Sequence, residues 1–244
     1  MIKTELRYSS RALGMPTSAT VLLPQDVIGE KPAPYKCLYL LHGMHGDSTS
    51  WIRNSAIERY AGQYNICVVM PEAHDSFYTD MKYGKAYYTA IAEELPRLIC
   101  NTFNVSDKRE DTFVAGLSMG GYGAVKAALT YPERYCGVIC LSGALDISAF
   151  KHHSIDEWRA IFGYDLNNVA ELRGSRHDVY SLAEKNASEG KPFPKLYMWC
   201  GDSDYLLENS IRFEKLLTVL GVEHIYEQSE GDHSWKWWDM HIQD

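Results

Sequence analysis

A G-x-S-x-G run centred on Ser118 constrains the fold of this chain more than any other feature of its sequence. Residues 111–115 before it are apolar and partly β-branched, as in a buried strand, and residues 124–131 after it favour a helix. The serine of such a run sits in a strained backbone conformation. Side chains at Gly116 and Gly120 would clash with the strand and the helix that cross there. The run therefore predicts a strand, a tight turn and a helix with Ser118 at the apex.

That setting gives Ser118 a chemical role. A serine at a tight strand-to-helix turn is typical of the nucleophile elbow of α/β-hydrolases, in which the hydroxyl is exposed above the N-terminus of the helix. The N–H of Met119 then points to the place where an oxyanion would form. We predict Ser118 as a nucleophile and the Met119 N–H as one oxyanion donor, against the alternative of an ordinary glycine-rich turn.

Strand-like and helix-like segments alternate over the whole chain, whose length suits a single α/β domain over residues 1–244. Helical patterns cover 50–64, 85–100 and 207–220, and the predicted strands are 2–8, 18–24, 37–41, 66–70, 111–115, 136–143, 195–201 and 223–227. The first two strands alternate like the edge strands of an antiparallel ribbon. The others predict an α/β-hydrolase fold, which is a mostly parallel, doubly wound sheet with helices on both faces, and residues 144–194 are a predicted insertion over the site.

A serine hydroxyl needs a base, and in α/β-hydrolases the chain order is serine, acid, histidine. His233 is the predicted base, because it follows the last predicted strand in a Gly-Asp-His-Ser turn. Other histidines are less well placed, since His224 lies inside a strand pattern and the pair His152 and His153 lies in the insertion. The alternative for His233 is a capping or surface histidine.

The acid should follow the preceding strand, where the run Cys-Gly-Asp-Ser-Asp offers Asp202 and Asp204. We predict Asp204 as the acid, with Asp202 as the alternative and a turn-capping role open to either carboxylate. Ligand sites in doubly wound sheets lie at the carboxyl ends of the strands. Because Ser118, Asp204 and His233 all fall just after predicted strands, the sequence predicts that they share one site.

A second oxyanion donor is expected from the loop after the strand at 37–41. The run His-Gly-Met-His-Gly makes a sharp turn there, and the Met44 N–H is the predicted donor, with the His45 N–H as the alternative. The His42 side chain is expected to hold this loop through hydrogen bonds. Aromatic residues near the same edge are predicted to line a substrate pocket, against the alternative of ordinary packing; they are Tyr78, Trp158, Tyr205 and Trp235.

Composition argues against several other classes of function. The formal net charge of −8 argues against a nucleic acid or an anionic membrane surface as a partner. No apolar run approaches the ~18 residues that span a bilayer, and the N-terminus has no apolar signal-peptide core. The six cysteines form no C-x-x-C motif, and no histidine pair has a third ligand at motif spacing, so neither a metal nor another cofactor is expected. Reduced, buried cysteines favour a cytoplasmic location.

Five motifs together resemble one family. They are His-Gly-x-x-Gly at 42–46, Gly-Leu-Ser-Met-Gly-Gly-Tyr-Gly-Ala at 116–124, Leu-Ser-Gly-Ala-Leu-Asp at 141–146, Cys-Gly-x-x-Asp-x-Leu at 200–206 and Gly-x-His-x-Trp at 231–235. In these motifs the chain is similar to the esterase D-type putative esterases, and most of all to bacterial tributyrin esterases and to feruloyl and acetyl-xylan esterases. The resemblance implies carboxylesterase activity with Ser118, Asp204 and His233 as a catalytic triad.

The sequence thus predicts a serine carboxylesterase that hydrolyses short acyl esters, acetyl or similar, on small molecules or oligosaccharides. Feruloyl esters are an alternative that would need a deep aromatic slot. S-formylglutathione hydrolases resemble the chain less, because their elbow usually carries histidine where this chain has Leu117 and Tyr122. A non-catalytic α/β-hydrolase relative that only binds ligands is the alternative of a different class, and the sequence leaves a homo-oligomer open.

Overall fold

An eight-stranded sheet runs through the computed structural model of the chain, which describes residues 1–25, 34–148, 155–163 and 169–244. The strands, in chain order, are β1 (Ile2–Ser10), β2 (Met15–Leu23), β3 (Cys37–Leu41), β4 (Cys67–Pro71), β5 (Thr112–Leu117), β6 (Gly137–Leu141), β7 (Lys195–Gly201) and β8 (His224–Ser229). In space their order is β1-β2-β4-β3-β5-β6-β7-β8, with β3 to β8 parallel to one another and β2 antiparallel to both of its neighbours, β1 and β4. The predicted mostly parallel, doubly wound sheet is confirmed.

Helices cover both faces of this sheet. They are α1 (Ser50–Asn54), α2 (Ile57–Tyr64), α3 (Tyr87–Thr89), α4 (Leu95–Thr102), α5 (Met119–Thr130), α6 (Ile155–Phe162), α7 (Val179–Ser188), α8 (Leu207–Val219) and α9 (Trp235–His241). Successive side chains of a strand point to opposite faces, so Val114 packs in one apolar cluster and Ala115 in another. The first cluster includes side chains of α5, α7 and α8, and the second includes those of α1, α2 and α9.

Two details of the predicted elements were wrong. The strand expected at 18–24 as an edge is flanked on both sides, because β2 pairs with β1 and with β4. The single helix expected over 50–64 is broken between α1 and α2. The break is held by hydrogen bonds, since the Ser55 hydroxyl donates to the Trp51 carbonyl at 2.5 Å and the Ala56 N–H donates to Asp239 at 2.8 Å.

The helical pattern at 85–100 has an irregular centre for a chemical reason. Between α3 and α4 the backbone forms a π-helical turn at Ala90–Glu94. Pro96, in the first turn of α4, has no N–H to donate to the carbonyl of Ala92 four residues earlier. The Arg134 guanidinium donates to that carbonyl instead, so the buried acceptor remains satisfied.

The described parts of the predicted insertion at 144–194 hold helices α6 and α7. Their surroundings are tied to the sheet edge by the buried carboxylate of Asp146, which lies 3.3 Å from Arg173 and 2.8 Å from Arg212. His152 and His153 lie outside the described residues. Among the residues that are described, none of the helices combines the length and apolar character needed to cross a membrane.

Candidate active site

Four parallel strands end at the same edge of the sheet, and each is followed by a residue that the sequence analysis singled out. His42 follows β3, Ser118 follows β5, and Asp204 and His233 lie in the loops after β7 and β8. The neighbouring loops also touch directly, because a Cβ placed on Gly201 would lie 2.3 Å from the backbone of Gly231. The loops after β7 and β8 can therefore approach closely only with glycine at that point.

Ser118 sits at a strained turn. Its backbone has φ 54° and ψ −119°, in a region that residues with side chains rarely occupy. A Cβ on Gly116 would lie 2.3 Å from the carbonyl oxygen of Gly120, and a Cβ on Gly120 would lie 2.5 Å from the carbonyls of Leu41 and His42. The glycines of the G-x-S-x-G run thus allow β5, the turn and α5 to cross at backbone contact.

Ser118, His233 and Asp204 form a continuous row of hydrogen bonds. His233 Nε2 lies 3.0 Å from Ser118 Oγ, and His233 Nδ1 lies 3.0 and 2.9 Å from the two carboxylate oxygens of Asp204. An ionised carboxylate only accepts, so Nδ1 carries the proton and Nε2 is left to accept from the serine hydroxyl. The Asp204 side chain is fully buried and also accepts the Leu206 N–H at 2.8 Å, which fixes its orientation.

The structure separates the two candidate carboxylates. Asp202 is exposed and accepts a hydrogen bond from the Gln228 amide at 2.6 Å. Asp204 alone of the two meets the imidazole. His224, expected to be structural, lies away from the row with its Nδ1 2.7 Å from the Val222 carbonyl.

The loop at residues 42–46, the predicted oxyanion loop, lies against the elbow. A Cβ on Gly43 would lie 3.4 Å from the Ser118 Cβ, so the loop passes directly beside the serine. The His45 N–H, one of the two alternatives for a donor, is occupied because it donates to Asp75 at 2.6 Å. This leaves the Met44 N–H as the candidate partner of the Met119 N–H at the start of α5.

Aromatic rings enclose His233 on two sides. Tyr205 lies 4.5 Å away between ring centroids and Trp238 lies 4.8 Å away, edge to face. Trp238 is fixed by a hydrogen bond from its indole N–H to Ser142 Oγ at 3.0 Å, and Trp235 packs against it. Burial and the nearby Asp204 raise the pKa of Tyr205, while a hydrogen bond to the Ser118 side chain opposes them. Trp238 is therefore a direct neighbour of the His233 ring as well as a packing residue.

Two of the four aromatic residues predicted as substrate contacts are buried away from the cavity. Trp158 is 5% exposed and packs against Phe77 and Phe162 at ring distances of 5.0 and 4.6 Å. Tyr78 is 1% exposed, because left-handed backbone at Phe77 and Tyr78 turns the loop inward. Neither side chain is part of the wall of that cavity. Tyr205 and Trp235 do line the cavity in front of Ser118.

That cavity has a volume of about 510 Å³ and is bounded by both the elbow and the predicted oxyanion loop. Its wall includes polar residues that the sequence analysis did not identify: Ser50, Arg53, Asn54 and Glu157. Arg53 is half exposed and lies 3.1 Å from Asp47. The sequence contained a signal for the residues of α1. This helix begins four residues after the His-Gly-x-x-Gly motif, so its residues had to lie near the site.

Among the described residues, one group has the spacing of a metal-binding set. It consists of Glu227, His241 and Asp244, whose ligand atoms lie within 4.8 Å of one another. His241 Nδ1 already lies 2.9 Å from Asp244, and the Tyr197 hydroxyl, which can donate its one proton to either carboxylate, lies 2.9 Å from Glu227 and 3.2 Å from Asp244. These contacts account for the group without an ion, and it is separate from the row at Ser118.

Comparison with known proteins places the chain among esterases. The family model described as "Putative esterase" matches residues 10–244. An acetyl esterase from Caldicellulosiruptor saccharolyticus is 33% identical over 98% of this chain and 94% of its own length. Among solved structures, a fluorophosphonate-binding serine hydrolase F from Staphylococcus aureus is 34% identical, with a TM-score of 0.91 over 99% of this chain and 95% of that one. An S-formylglutathione hydrolase from the same organism is also 34% identical, with a TM-score of 0.88 over 99% and 96%.

Proposed function

Since this chain belongs to the putative esterase family and is a carboxylic ester hydrolase, we propose that it cleaves esters of short acyl groups through a covalent acyl-enzyme on Ser118. The observation that carries the proposal is the hydrogen-bonded row from Ser118 Oγ through His233 to the Asp204 carboxylate. A hydroxyl becomes a competent nucleophile near neutral pH only beside such a base, and the base needs a partner that fixes its tautomer.

The proposed reaction follows from that geometry. Ser118 Oγ attacks the ester carbonyl carbon while His233 Nε2 takes the hydroxyl proton, and the Asp204 carboxylate stabilises the imidazolium that forms. The Met44 and Met119 N–H groups donate to the carbonyl oxygen as it becomes negative. The tetrahedral intermediate collapses, the C–O bond to the alcohol breaks, and His233 returns the proton to the leaving alkoxide. A water activated by the same imidazole then cleaves the acyl-serine ester and releases the carboxylic acid.

An acetyl ester of a polar alcohol, such as an acetylated carbohydrate, fits the proposed site. The cavity combines Tyr205, which is 56% exposed, and Trp235 with the side chains of Arg53, Asn54 and Glu157. Flat aromatic rings can cover the apolar faces of a sugar, and side chains with several donors and acceptors can satisfy its hydroxyl groups. The relative named acetyl esterase agrees with a small acyl group.

Hydrolysis of an S-formylglutathione thioester is the second candidate. One observation favours it: Arg53 places a cation in the cavity, where it could pair with a glutathione carboxylate. Against it, Asp47 already lies 3.1 Å from that guanidinium, and Glu157 places an acidic side chain in the wall of the cavity. The similarity to the S-formylglutathione hydrolase from Staphylococcus aureus is a second reason to test this substrate.

The test is a substrate panel run with the wild-type chain and with Ser118→Ala in parallel. It consists of p-nitrophenyl esters from acetate to decanoate, methyl ferulate, an acetylated xylo-oligosaccharide and S-formylglutathione. We expect a steep fall in kcat/KM beyond short acyl chains and turnover of the acetylated oligosaccharide. Faster turnover of S-formylglutathione than of every oxygen ester would select the second candidate, and dominant ferulate turnover would replace the small-acyl proposal by a feruloyl esterase.

A cytoplasmic location is also proposed. All six cysteines are free, and four of them are buried in the sheet. Free thiols are typical of proteins that stay in a reducing compartment. Fractionation of the source cells with an antibody to this chain tests the location, and recovery from the culture medium would contradict it.

A further inference from the structure

Behind the predicted oxyanion loop lies Tyr78, whose hydroxyl donates a hydrogen bond to the His42 carbonyl at 2.9 Å. We infer that Tyr78 is a positioning residue for the oxyanion hole, because it fixes the residues 42–46 loop from behind and thereby sets the direction of the Met44 N–H. The inference rests on the proposed function, in which that N–H receives the negative oxygen. It assigns a role to a side chain that is too deeply buried to touch a substrate.

The loop's own hydrogen bonds show how a fixed His42 directs Met44. The Ala73 N–H lies 3.1 Å from His42 Nε2, which must accept, so the ring proton is on Nδ1. Nδ1 lies 2.7 Å from the Gly43 carbonyl oxygen and donates to it. The Gly43 carbonyl and the Met44 N–H belong to one planar trans peptide and point in opposite directions. Anchoring the carbonyl toward His42 therefore turns the Met44 N–H away from it.

Tyr78 itself is held in a conformation it would not adopt alone. Its φ is 46° and that of Phe77 is 51°, two consecutive aromatic residues in the left-handed region. Such strain persists only where the surroundings determine the conformation, and it is concentrated at functional sites. Here Lys126 Nζ donates to the Tyr78 carbonyl and to the Thr79 hydroxyl, each at 3.1 Å.

Helix α5 supplies the support for both halves of the proposed oxyanion hole. It begins at Met119, the first donor, and one and two turns later it presents Gly123 and Lys126 to Tyr78. A Cβ on Gly123 would lie 2.6 Å from the Tyr78 ring, so the ring rests on the helix backbone. Tyr78 therefore spans the gap between α5 and the loop that carries Met44. Its length sets the separation of the Met44 and Met119 N–H groups.

A second buried tyrosine provides a matched control. Tyr122 lies on the same helix, is 0% exposed, and donates its hydroxyl to a backbone carbonyl at 2.8 Å, as Tyr78 does. The carbonyl it holds is that of His177, which lies outside the oxyanion loop. If a tyrosine hydroxyl mattered only for stability, its removal at either position would have the same consequence for catalysis.

The experiment compares Tyr78→Phe with Tyr122→Phe. The readouts are kcat and KM for p-nitrophenyl acetate, and the inhibition constant of an alkyl trifluoromethyl ketone, which forms a tetrahedral oxyanion on a serine. Since deletion of a whole oxyanion donor costs ~10²–10³ in kcat, we expect its misdirection in Tyr78→Phe to lower kcat about 10- to 100-fold. KM should change less than about twofold, and the ketone should bind more weakly by the same factor as kcat. Tyr122→Phe should stay within about threefold of wild type in all three.

Equal effects of the two variants on kcat and on ketone binding would overturn the inference, as would a folded Tyr78→Phe with wild-type kcat. If Tyr78→Phe does not fold, Gly123→Ala decides, because its added methyl pushes the Tyr78 ring from its place while keeping the hydroxyl. The same selective loss of kcat is then expected, and wild-type kcat would again overturn it. An inactive Ser118→Ala beside an unaffected Tyr78→Phe would reject only the positioning role, whereas an active Ser118→Ala would reject the proposed function.

Discussion

The hydrogen-bonded row of Ser118, His233 and Asp204 and the predicted oxyanion loop at 42–46 meet at the elbow, yet they are held in different ways. In the row, each link joins two functional side chains, and the His233 side chain remains 15% exposed. Behind the loop, the buried His42 and Tyr78 side chains act on backbone carbonyls. The row therefore depends on which chemical groups are present, and the loop depends on where a peptide plane is pointed.

This difference predicts two classes of loss. Removing a group from the row removes a step of the proposed chemistry, whereas loosening the loop misplaces a donor that is still present. The first kind should be large and insensitive to the substrate. The loss from a loosened loop should be smaller, and kcat should fall in proportion to the affinity for an inhibitor that forms a tetrahedral oxyanion.

The largest effect is expected at the residue that both halves share. Ser118→Ala should lower kcat by on the order of 10⁶ with the fold intact, judging from triad deletions in other hydrolases. The methyl of alanine fits where the Ser118 Cβ already lies, so the thermal unfolding temperature should change little. Release of p-nitrophenol from the acetate ester measures the loss, and turnover near wild type would end the assignment of the nucleophile.

A break confined to the row comes next. Asp204→Asn keeps the shape of the side chain but removes the charge that fixes the His233 tautomer, and a loss of about 10⁴ in kcat is expected from the corresponding change in a serine protease triad. Asp202→Asn is the matched control two residues away, since that carboxylate contacts Gln228 on the surface. It should leave kcat within about twofold. A larger loss from Asp202→Asn than from Asp204→Asn would exchange the roles of the two carboxylates.

The same contrast separates what the sequence could predict from what it could not. Strand β3 has the bounds that its apolar run predicted, because a strand buried on both faces leaves a continuous hydrophobic signal. Strand β7 has the bounds that its alternating pattern predicted, and its Lys195 is exposed while Leu196 is buried. The row was predicted residue by residue, since motif spacing and chain order record chemical identity. Asp204 was predicted with Asp202 as the alternative, because both follow β7, and in the structure the hydrogen bonds to His233 distinguish Asp204 from Asp202.

The loop side was beyond the sequence for physical reasons. Left-handed φ at Phe77 and Tyr78 contradicts the preferences of aromatic residues, so no local pattern predicts that Tyr78 turns inward. Its support comes from Lys126, 48 positions away. The break between α1 and α2 has a similar cause, because Asp239 stabilises it from the far end of the chain. Long-range contacts of this kind outweigh local propensity.

A smaller effect should appear in stability on the loop side. Burial lowers the pKa of Lys126 from 10.5 to about 7 in the folded chain. Between those values the unfolded chain binds one more proton than the folded chain, so the lysine's contribution to the free energy of unfolding becomes more favourable as pH rises. Relative to Lys126→Met, the wild-type free energy of unfolding should rise by ~1.4 kcal/mol per pH unit above about pH 7.

Urea denaturation of both chains between about pH 7 and about pH 9 measures that difference, and taking the difference cancels the titration of the other groups. Lys185→Met is the control, because the Lys185 side chain is 63% exposed. Its curve should run parallel to that of the wild type. A Lys126→Met curve that also runs parallel would show that Lys126 keeps its proton in the folded chain.

The smallest effect is expected where neither half is disturbed. Arg53 lines the cavity but contacts neither the row nor the buried support of the loop, and its partner Asp47 remains solvated without it. Loss of one charge-assisted hydrogen bond costs ~1.5–3 kcal/mol when the partner is buried, and less at this half-exposed position. Arg53→Met should therefore raise KM for an acetylated xylo-oligosaccharide about 3- to 10-fold while leaving kcat/KM for p-nitrophenyl acetate within about twofold.

The matched control is Arg59→Met. Arg59 lies on α2, with its guanidinium 5.2 Å above the Tyr60 ring, and its substitution should leave kcat and KM unchanged for both esters. Equal losses of kcat/KM on both esters in Arg53→Met would mean that Arg53 supports the reacting centre. Arg53 would then act in the same way as the buried side chains that support the loop at 42–46. A loss confined to the oligosaccharide would separate recognition of the alcohol from both the row and the loop. The cavity wall at Arg53 would then be a third region of the site, in which a substitution changes binding of the alcohol but leaves the acylation chemistry unchanged.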